Sequence, residues 1–294
     1  MFKIIKRRKI WFAISGLLMI GSIVSLLVFG LNIGIDFKGG TLMELELQEG
    51  QFDKVKAEQI LEKEGMQDIV VQLSGDHGIL LKFEHIDKEK HALILNDFQK
   101  EYKGAKESRY ETVGPTVSQD LTRKAFIAVG VASLGIILYL AFAFRKVTKP
   151  ANPWKFGVCA VVALIHDSLF VLGMFALFGH FFDLEVNSLF ITALLTVIGF
   201  SVHDTIVVFD RIRENLNKMD KPFEDVVEYS VGQTMVRSLA TSFTTLLVLV
   251  AILLFGGATI RSFIFALSIG ILIGVYSSIF LASPLIVVWK EKQE

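Results

Sequence analysis

The chain has 294 residues, 52% of them hydrophobic, and its 30 basic residues balance 30 acidic ones. A net charge of zero gives no indication of a nucleic-acid partner, and the single cysteine, Cys159, excludes an intrachain disulfide. The hydrophobic residues are grouped in blocks of about 20, the length at which a helix crosses ~30 Å of hydrocarbon. This distribution excludes a wholly soluble protein of one or two domains and predicts a polytopic membrane protein.

The first hydrophobic block follows a basic N-terminus and resembles a signal peptide. Its uncharged run from Ile10 to Gly34 is too long for that role, however, and no small-residue cleavage site follows. It is therefore predicted to be an uncleaved first transmembrane helix. The six predicted spans are Ile10–Gly30, Ala125–Phe144, Phe156–Phe178, Val186–Phe209, Ser238–Gly257 and Ser262–Trp289.

The polar stretch between the first two spans has the pattern of a folded domain. Four segments have strand patterns and two have helical periodicity, with Ser-Gly-Asp-His-Gly as a hairpin turn between the second and third strands. The order β-α-β-β-α-β is that of a ferredoxin-like domain. The predicted strands are Thr41–Leu47, Gln67–Leu73, Gly78–Phe83 and Arg109–Val113. The predicted helices are Phe52–Glu64, with Val55, Ile60 and Leu61 apolar, and Ile86–Tyr102, with Leu93, Leu95 and Phe98 apolar.

Basic residues near the span ends predict the orientation in the membrane. The segments that lie on one side of six spans are rich in lysine and arginine, whereas the His180–Glu185 loop on the other side has neither. Both termini are therefore expected in the cytoplasm, and the polar domain outside it. The basic residues are Lys3, Lys6, Arg7, Arg8, Lys9, Arg145, Lys146, Lys149, Lys155, Arg211, Arg213, Lys218, Lys221, Lys290 and Lys292.

Ionisable residues inside three spans are the candidate functional groups. His166 and Asp167 lie in the third span, His203 and Asp204 in the fourth, and Arg237 opens the fifth. Such residues cost at least ~2.5–3.5 kcal/mol on insertion scales and usually face a partner or a water path. A buried ion pair adds little net stability, because desolvation offsets the attraction. A role in ion movement is therefore favoured for Asp204, while a purely structural pairing stays open for Asp167.

The geometry of adjacent spans makes an Asp204–Arg237 pairing plausible. Asp204 lies roughly 9 Å above Asp210, where the fourth span is predicted to end, at 1.5 Å per helical residue. The fifth span rises from the same side and begins near Arg237. Displacing an arginine beside a buried aspartate changes whether burial or the positive charge dominates the proton affinity. Around the pair, a predicted hydroxyl-lined seam consists of Ser201, Thr205, Thr241, Thr244 and Thr245.

Five segments in order resemble the SecF family of the bacterial Sec translocase. They are NIGIDFKGGT, VGPTVSQDL, GFSVHDTIVVFDRIREN, SVGQTMVRSLATSFTTLL and LLFGGATIRSFIFALSIGILIGVYSSIFLASPL, and they extend over nearly the whole chain. The resemblance implies half of a resistance–nodulation–division transporter core, with SecD as the other half. It implies that the proton gradient, or the sodium gradient in some members, drives preprotein export on the outer side of the membrane.

The resemblance also assigns roles to residues. The family's membrane carboxylate falls on Asp204 and its membrane arginine on Arg237, with Asp167, His203, Thr241 and Thr245 as lesser candidates for ion coupling. The family more often has asparagine where His203 stands, so this histidine is either a relay beside the carrier or part of a helix contact. No catalytic residue, metal site or cofactor is expected. The expected partners are SecD, the SecYEG channel, SecA, YajC/YidC, preproteins and membrane lipid.

Three other functions are weaker alternatives. Half of an exporter of small molecules or lipids would share the superfamily, but the polar domain is small for gathering substrate. An intramembrane aspartyl protease needs paired carboxylates, yet its GxGD signature is absent, since SVH precedes Asp204. A passive scaffold would tolerate joint apolar replacement of Asp204 and Arg237.

The predicted architecture is therefore a six-helix membrane protein with an α+β ferredoxin-like extracytoplasmic domain between helices 1 and 2. Residues 1–34 comprise the cytoplasmic N-terminus and helix 1, residues 35–120 the outer domain, and residues 121–294 helices 2–6 with a cytoplasmic C-terminus. The expected location is the bacterial cytoplasmic membrane. Gly270 and Gly274 form a GxxxG that predicts close helix packing, and the small-residue faces of spans one and six are candidate SecD contacts.

Overall fold

The structure is a computed structural model that describes residues 3–47, 51–74, 77–145 and 153–291. It divides into two compact units: Ile33–Phe126, and Met1–Asn32 together with Ile127–Glu294. Several residues used in the predictions lie outside the described ranges: Lys146, Lys149, Lys292 and Gly75–Asp76 of the hairpin turn.

Helices and strands follow one another along the chain in an order that agrees with the predicted one. They are a 3₁₀ helix (Ile5–Arg7), α1 (Arg8–Phe29), α2 (Ile35–Lys38), β1 (Gly40–Glu46), α3 (Lys54–Lys63), β2 (Val70–Ser74), β3 (Gly78–Phe83), α4 (Lys88–Glu101), β4 (Lys106–Val113), α5 (Pro115–Ala143), α6 (Pro153–Phe182), α7 (Ser188–Leu216), α8 (Phe223–Phe255), α9 (Ala258–Ser277), a π-helical turn (Ser278–Ala282) and α10 (Ser283–Glu291).

Within the described residues, six helical segments are long and apolar enough to cross a membrane, as predicted. They are Ile5–Phe29, Pro115–Ala143, Trp154–Phe182, Ser188–Leu216, Phe223–Phe255 and Ile260–Trp289. Most of these helices are longer than the predicted hydrophobic spans, because backbone hydrogen bonding can continue a helix beyond its apolar residues. The polar residues that follow or precede the apolar block continue the helix into water.

The fifth span differs most from its prediction. Its helix, α8, begins at Phe223 rather than near Ser238. The early turns bury Val226, Val227 and Val231, so this segment packs as an amphipathic helix. Acidic residues in the first turn also favour a helix N-terminus, because they complement its partial positive charge. Arg237 consequently lies in the interior of α8 and not at its beginning.

The N-terminal segment is fixed by the early turns of α8. The backbone amides of Ile4 and Ile5 donate to the two carboxylate oxygens of Glu228 at 2.7 and 2.8 Å. Nη1 of Arg8 lies 3.0 Å from Oε1 of Glu224. One carboxylate thus accepts from two main-chain donors at the start of a helix, where amides lack intrahelical partners.

The polar unit is a four-stranded antiparallel sheet with strand order β2-β3-β1-β4. Thr41 pairs with Phe83 of β3 and Thr112 of β4, and Val71 of β2 pairs with Leu81 of β3. With α3 and α4 in their places along the chain, this order is that of the ferredoxin-like split βαβ unit. The predicted fold class is confirmed.

The helices of this unit bury slightly different faces from those predicted. Ala57 and Leu61 of α3 and Ile94 and Phe98 of α4 are buried against the sheet, whereas Val55 is exposed. Leu93 of α4 is likewise 54% exposed. Apolar runs such as ALIL offer two adjacent stripes, and only packing against the sheet decides which one is buried.

Candidate functional site

Close packing of α7 against α9 positions the candidate site. A Cβ added at Gly270 would lie 2.1 Å from Cγ2 of Val197, and one at Gly274 would lie 3.1 Å from Cβ of Ser201. These two positions therefore allow the helices to approach as only small residues permit. The predicted packing role of this GxxxG is confirmed, and its small-residue face is occupied within the chain.

Asp167 lies at the point where α6, α7 and α9 meet. It is 1% exposed, and its Oδ2 accepts hydrogen bonds from Oγ of Ser201 at 2.5 Å and from Oγ of Ser277 at 2.6 Å. Its Oδ1 lies 3.0 Å from Nδ1 of His166. Three polar partners from three helices thus surround a carboxylate that the apolar bundle otherwise encloses.

Asp204 is the second buried carboxylate, one helical turn after Ser201 on α7. It is 4% exposed, and its Oδ2 has no hydrogen-bond partner among the described residues. The ionisable group that lies close to it is Nδ1 of its neighbour His203, 3.9 Å from Oδ1. A buried carboxylate oxygen without a donor is costly, and among the described residues Asp204 is the acid that has one.

Hydroxyl groups on α7 and on the π-helical turn form hydrogen bonds in the region between Asp167 and Asp204. Thr205 Oγ1 lies 2.8 Å from Ser278 Oγ, and this serine hydroxyl is 3.3 Å from the Ser201 main-chain oxygen. All three side chains are at most 2% exposed. The prediction that Ser201 and Thr205 share the Asp204 side of α7 agrees with this placement.

The π-helical turn places these serines and has a cause in the sequence. Pro284 lacks a backbone N–H, so the helix cannot form its usual bond four residues back. One residue before the proline, the Ser283 hydroxyl donates to the main-chain oxygen of Ser278, the first residue of the π turn, at 2.8 Å. Such π turns frequently occur at functional sites, and this one lies directly after Ser277.

The predicted Asp204–Arg237 contact is not formed in this structure, which describes both residues. Arg237 is exposed on α8 and makes no ion pair with Asp204, whose nearby ionisable group is the His203 imidazole. Depth along the membrane normal was predicted from the sequence, but the direction in which each side chain points around its helix was not. The two side chains are therefore apart in this conformation, and the pairing stays a prediction.

The threonines beyond Arg237 do not continue a hydroxyl path to Asp204 either. Thr241 Oγ1 donates to the Arg237 main-chain oxygen at 3.0 Å, and Thr244 and Thr245 both donate to the Thr241 oxygen. Each hydroxyl satisfies its own helix, as is common for threonine in apolar helices. Thr241 and Thr244 are exposed, so the seam faces outward.

His203 also faces outward, with 72% of its side chain exposed. The alternative in which it packs into a helix contact is therefore wrong for contacts within this chain. Its role as a relay beside Asp204 stays a prediction. Thr192, Thr196 and Gly199 follow the same exposed side of α7, which gives this span a small and polar outer stripe.

Sequence reasoning missed Ser277, Ser278 and Ser283 as part of this site. A signal was present, since Ser-Ser and Ser-Pro occur in an apolar span and a helix-interior proline requires some local rearrangement. No cluster of three or more metal-ligating side chains of His, Cys, Asp or Glu occurs in the described ranges.

Comparisons with known proteins agree with this geometry. Residues 94–292 match the family model "Protein export membrane protein SecD/SecF, C-terminal", and residues 24–50 match the "SecD/SecF GG Motif". Gly39 and Gly40 lie in the second match, where both have positive φ angles of 81° and 136° and end α2 against β1.

Two relatives are similar along nearly the whole length of this chain. A protein translocase subunit SecF of Thermobaculum terrenum is 41% identical, over 99% of this chain and 95% of its own. A protein translocase subunit SecDF of Bacillus subtilis is 36% identical, over 98% of this chain and 38% of its own.

A solved structure shows the same fold. The crystal structure of SecDF, a translocon-associated membrane protein from Thermus thermophilus, superposes with a TM-score of 0.85 at 35% identity. The match covers 98% of this chain and 38% of that one. The six apolar helices and the ferredoxin-like unit follow one another as in this solved structure, and the family models match the same chain. The chain therefore belongs to the SecD/SecF family of bacterial protein export membrane proteins, as a multi-pass translocase subunit.

Proposed function

We propose that the chain, together with SecD, couples an ion gradient across the membrane to preprotein export, and that Asp204 carries the coupled ion. The observation on which this rests is the Asp204 carboxylate, which is 4% exposed in an apolar span and has one oxygen without a partner among the described residues. A carboxylate enclosed in this way is stable only when it gains a proton, a cation or a new partner. Binding and release of a proton or cation at Asp204 can therefore control which arrangement of the helices is stable.

Arg237 is the proposed moving partner of this carboxylate. It is exposed on α8, and in the most apolar stretch of that helix only 17% of the residues are buried within the chain. A rotation of α8 that brings the guanidinium toward Asp204 would favour the ionised acid, and its withdrawal would favour the protonated acid. Coupling of this kind needs two arrangements of the same helices, and the structure corresponds to the arrangement in which the pair is apart.

SecD is the proposed partner at the exposed side of α7. SecF-like and SecD-like sequences form one chain in the SecDF relatives. The predicted contact faces on spans one and six are occupied within this chain, because Gly270 packs on Val197 and Gly173 packs on Ser22. The outer stripe of α7 with Thr192, Thr196, Gly199 and His203 is exposed instead, and small residues of this kind favour close helix contacts.

The membrane orientation belongs to the same proposal. Both termini lie in the cytoplasm, and residues 35–120 form the outer domain, which contacts preproteins as they leave the SecYEG channel. SecA and YajC/YidC are further proposed partners. The role is coupling rather than catalysis. No observation favours the small-molecule exporter, since the relatives are named as protein translocase subunits.

The test is translocation of a preprotein into membrane vesicles that contain the complex with SecD and an imposed proton or sodium gradient. Asp204→Asn should abolish the gradient-dependent part of translocation and leave the gradient-independent part unchanged. Asp210→Asn is a matched control, because Asp210 is exposed on the same helix and paired with Arg213 at 2.5 Å. Gradient-dependent translocation that persists with Asp204→Asn would refute the proposal.

A second variant separates coupling from a passive scaffold. Joint replacement of Asp204 by valine and of Arg237 by methionine removes both charges with apolar side chains closer to the original volumes. A scaffold would keep its stimulation of translocation with this pair, because the complex still assembles. An ion-coupled subunit would lose the gradient-dependent part although co-purification with SecD stays normal.

A further inference from the structure

The His166–Asp167 pair in the middle of α6 is enclosed more completely than any other ionisable pair described. The two side chains are 0% and 1% exposed. Enclosing a carboxylate without donors would be costly, and here His166, Ser201 and Ser277 supply donors from three helices. The site is therefore built around Asp167 and is not an accident of packing.

The chemical type of these partners distinguishes the site from a structural ion pair. An arginine or lysine only donates hydrogen bonds, so it stabilises an acid in its ionised form alone. A serine hydroxyl both donates and accepts, and an imidazole does the same in its neutral form. Ser201 and Ser277 can therefore reverse a hydrogen bond when Asp167 gains a proton, without any helix moving.

One nitrogen of His166 has no use in the structure as it stands. Nδ1 faces Asp167, whereas Nε2 is buried and has no hydrogen-bond partner among the described residues. A fully satisfied structural pair would not leave this atom without a partner. The pair thus leaves this nitrogen available for a polar contact in a second arrangement of the helices.

Ser201 joins this pair to Asp204. Its hydroxyl donates to Oδ2 of Asp167 at 2.5 Å from α7, and Asp204 follows three residues later on the same helix face. Helical side chains lean toward the N-terminus, so the Asp204 side chain can reach back toward the turn that contains Ser201, although no hydrogen bond joins the two in this structure. The remaining titratable neighbour is Tyr276 of α9, whose ring centre is 6.2 Å from that of His166.

We propose that Asp167 is a second proton-holding carboxylate of the pathway, and that it exchanges its proton with Asp204 through the Ser201 hydroxyl. This inference rests on the proposed function of Asp204. Once the Asp204 carboxyl has turned within hydrogen-bond distance of Ser201, the Asp204 carboxylic acid gives its proton to Oγ of Ser201 while the Ser201 O–H gives its proton to Oδ2 of Asp167. One O–H bond breaks and one forms on Ser201, Asp204 becomes ionised, and Asp167 becomes neutral. His166 positions Asp167 throughout.

The test compares Asp167→Asn and Ser201→Ala with Ser268→Ala in the complex with SecD. Ser268 is a matched control, because it is a buried serine on α9 whose hydroxyl donates only to its own helix, at the Ile264 oxygen. Both test variants should lose gradient-dependent translocation while assembly with SecD and gradient-independent translocation are unchanged. Ser268→Ala should retain all three properties.

Infrared difference spectroscopy on acidification supplies a readout that a structural role would not change. The intact complex should show carboxylic-acid C=O bands of which Asp167→Asn removes one and Asp204→Asn another. Gradient-dependent translocation that persists in Asp167→Asn would overturn the inference. So would an Asp167→Asn variant that loses this translocation but keeps every carboxylic-acid C=O band of the intact complex. Persistent translocation in Ser201→Ala would overturn the exchange route. Failure of the proposed function gives a different result from failure of this inference: Asp204→Asn would then keep its gradient-dependent translocation.

Discussion

Replacing Gly173 by alanine should force α1 and α6 apart. A Cβ at this position would lie 2.4 Å from both Cα and Cβ of Ser22 and 2.7 Å from its Oγ, whereas ordinary contacts begin at 3.4 Å. Because Cα belongs to the main chain, no side-chain rotation relieves the overlap. Separation of the helices would also stretch the hydrogen bond from Ser25 Oγ to the Gly173 oxygen, now 2.9 Å.

The expected change in free energy follows from three contributions. Overpacking of a tight contact typically costs about 1–3 kcal/mol. Loss of one interhelical hydrogen bond in a membrane protein costs about 0.6 kcal/mol on average. Alanine is favoured over glycine within a helix by up to about 1 kcal/mol. The net effect of Gly173→Ala should be a destabilisation of roughly 1–3 kcal/mol.

The assay is reversible unfolding in mixed micelles with increasing sodium dodecyl sulfate. Gly157→Ala is the control, because it lies on the same helix and the structure places nothing described within 4 Å of its added Cβ. That control should gain up to about 1 kcal/mol from helix propensity alone. If Gly173→Ala were as stable as Gly157→Ala, the inferred close contact between α1 and α6 would be wrong.

Two further predictions concern the N-terminal segment and the outer domain. Glu228→Ala should speed hydrogen exchange at the amides of Ile4 and Ile5 about tenfold or more, since hydrogen bonds to a charged group contribute ~1.5–3 kcal/mol; unchanged exchange would show that this carboxylate does not hold the segment. Burial raises the pKa of Tyr102 above its ordinary value of 10.0, so the folded state retains this proton longer than the unfolded state. The stabilisation is complete below about pH 10 and is lost as the pH rises through the raised value. Tyr102→Phe should flatten this decline in thermal unfolding of the whole chain, and an equal decline in both proteins would contradict the reasoning.

The spans and the sheet were predictable because their signals are local. Apolar length determines which segments cross the hydrocarbon, and alternation determines the strands of the outer domain. The start of α8 was not predictable in this way. Its first turns, with Val226 and Val227 buried, carry no long apolar block, and their helical state depends on packing against other parts of the chain.

The site was predictable in its residues but not in its contacts. Hydropathy alone identifies Asp167 and Asp204 as unusual, and spacing places Ser201 beside Asp204. Which way Arg237 points depends on the rotation of α8 about its axis, and the sequence of one chain does not specify this. The surroundings of Asp167 depend on a π turn, whose cause at Ser283 and Pro284 lies far along the chain from α6.

Ion movement itself is the property that most directly tests the role of Asp204. The complex with SecD would be reconstituted in liposomes that contain a pH-sensitive or sodium-sensitive dye, and a membrane potential would be imposed. Intact protein and Asp210→Asn should both admit the coupled ion, and Asp204→Asn should admit none above protein-free liposomes. Equal ion entry with and without the Asp204 carboxylate would contradict the assignment of the coupling site.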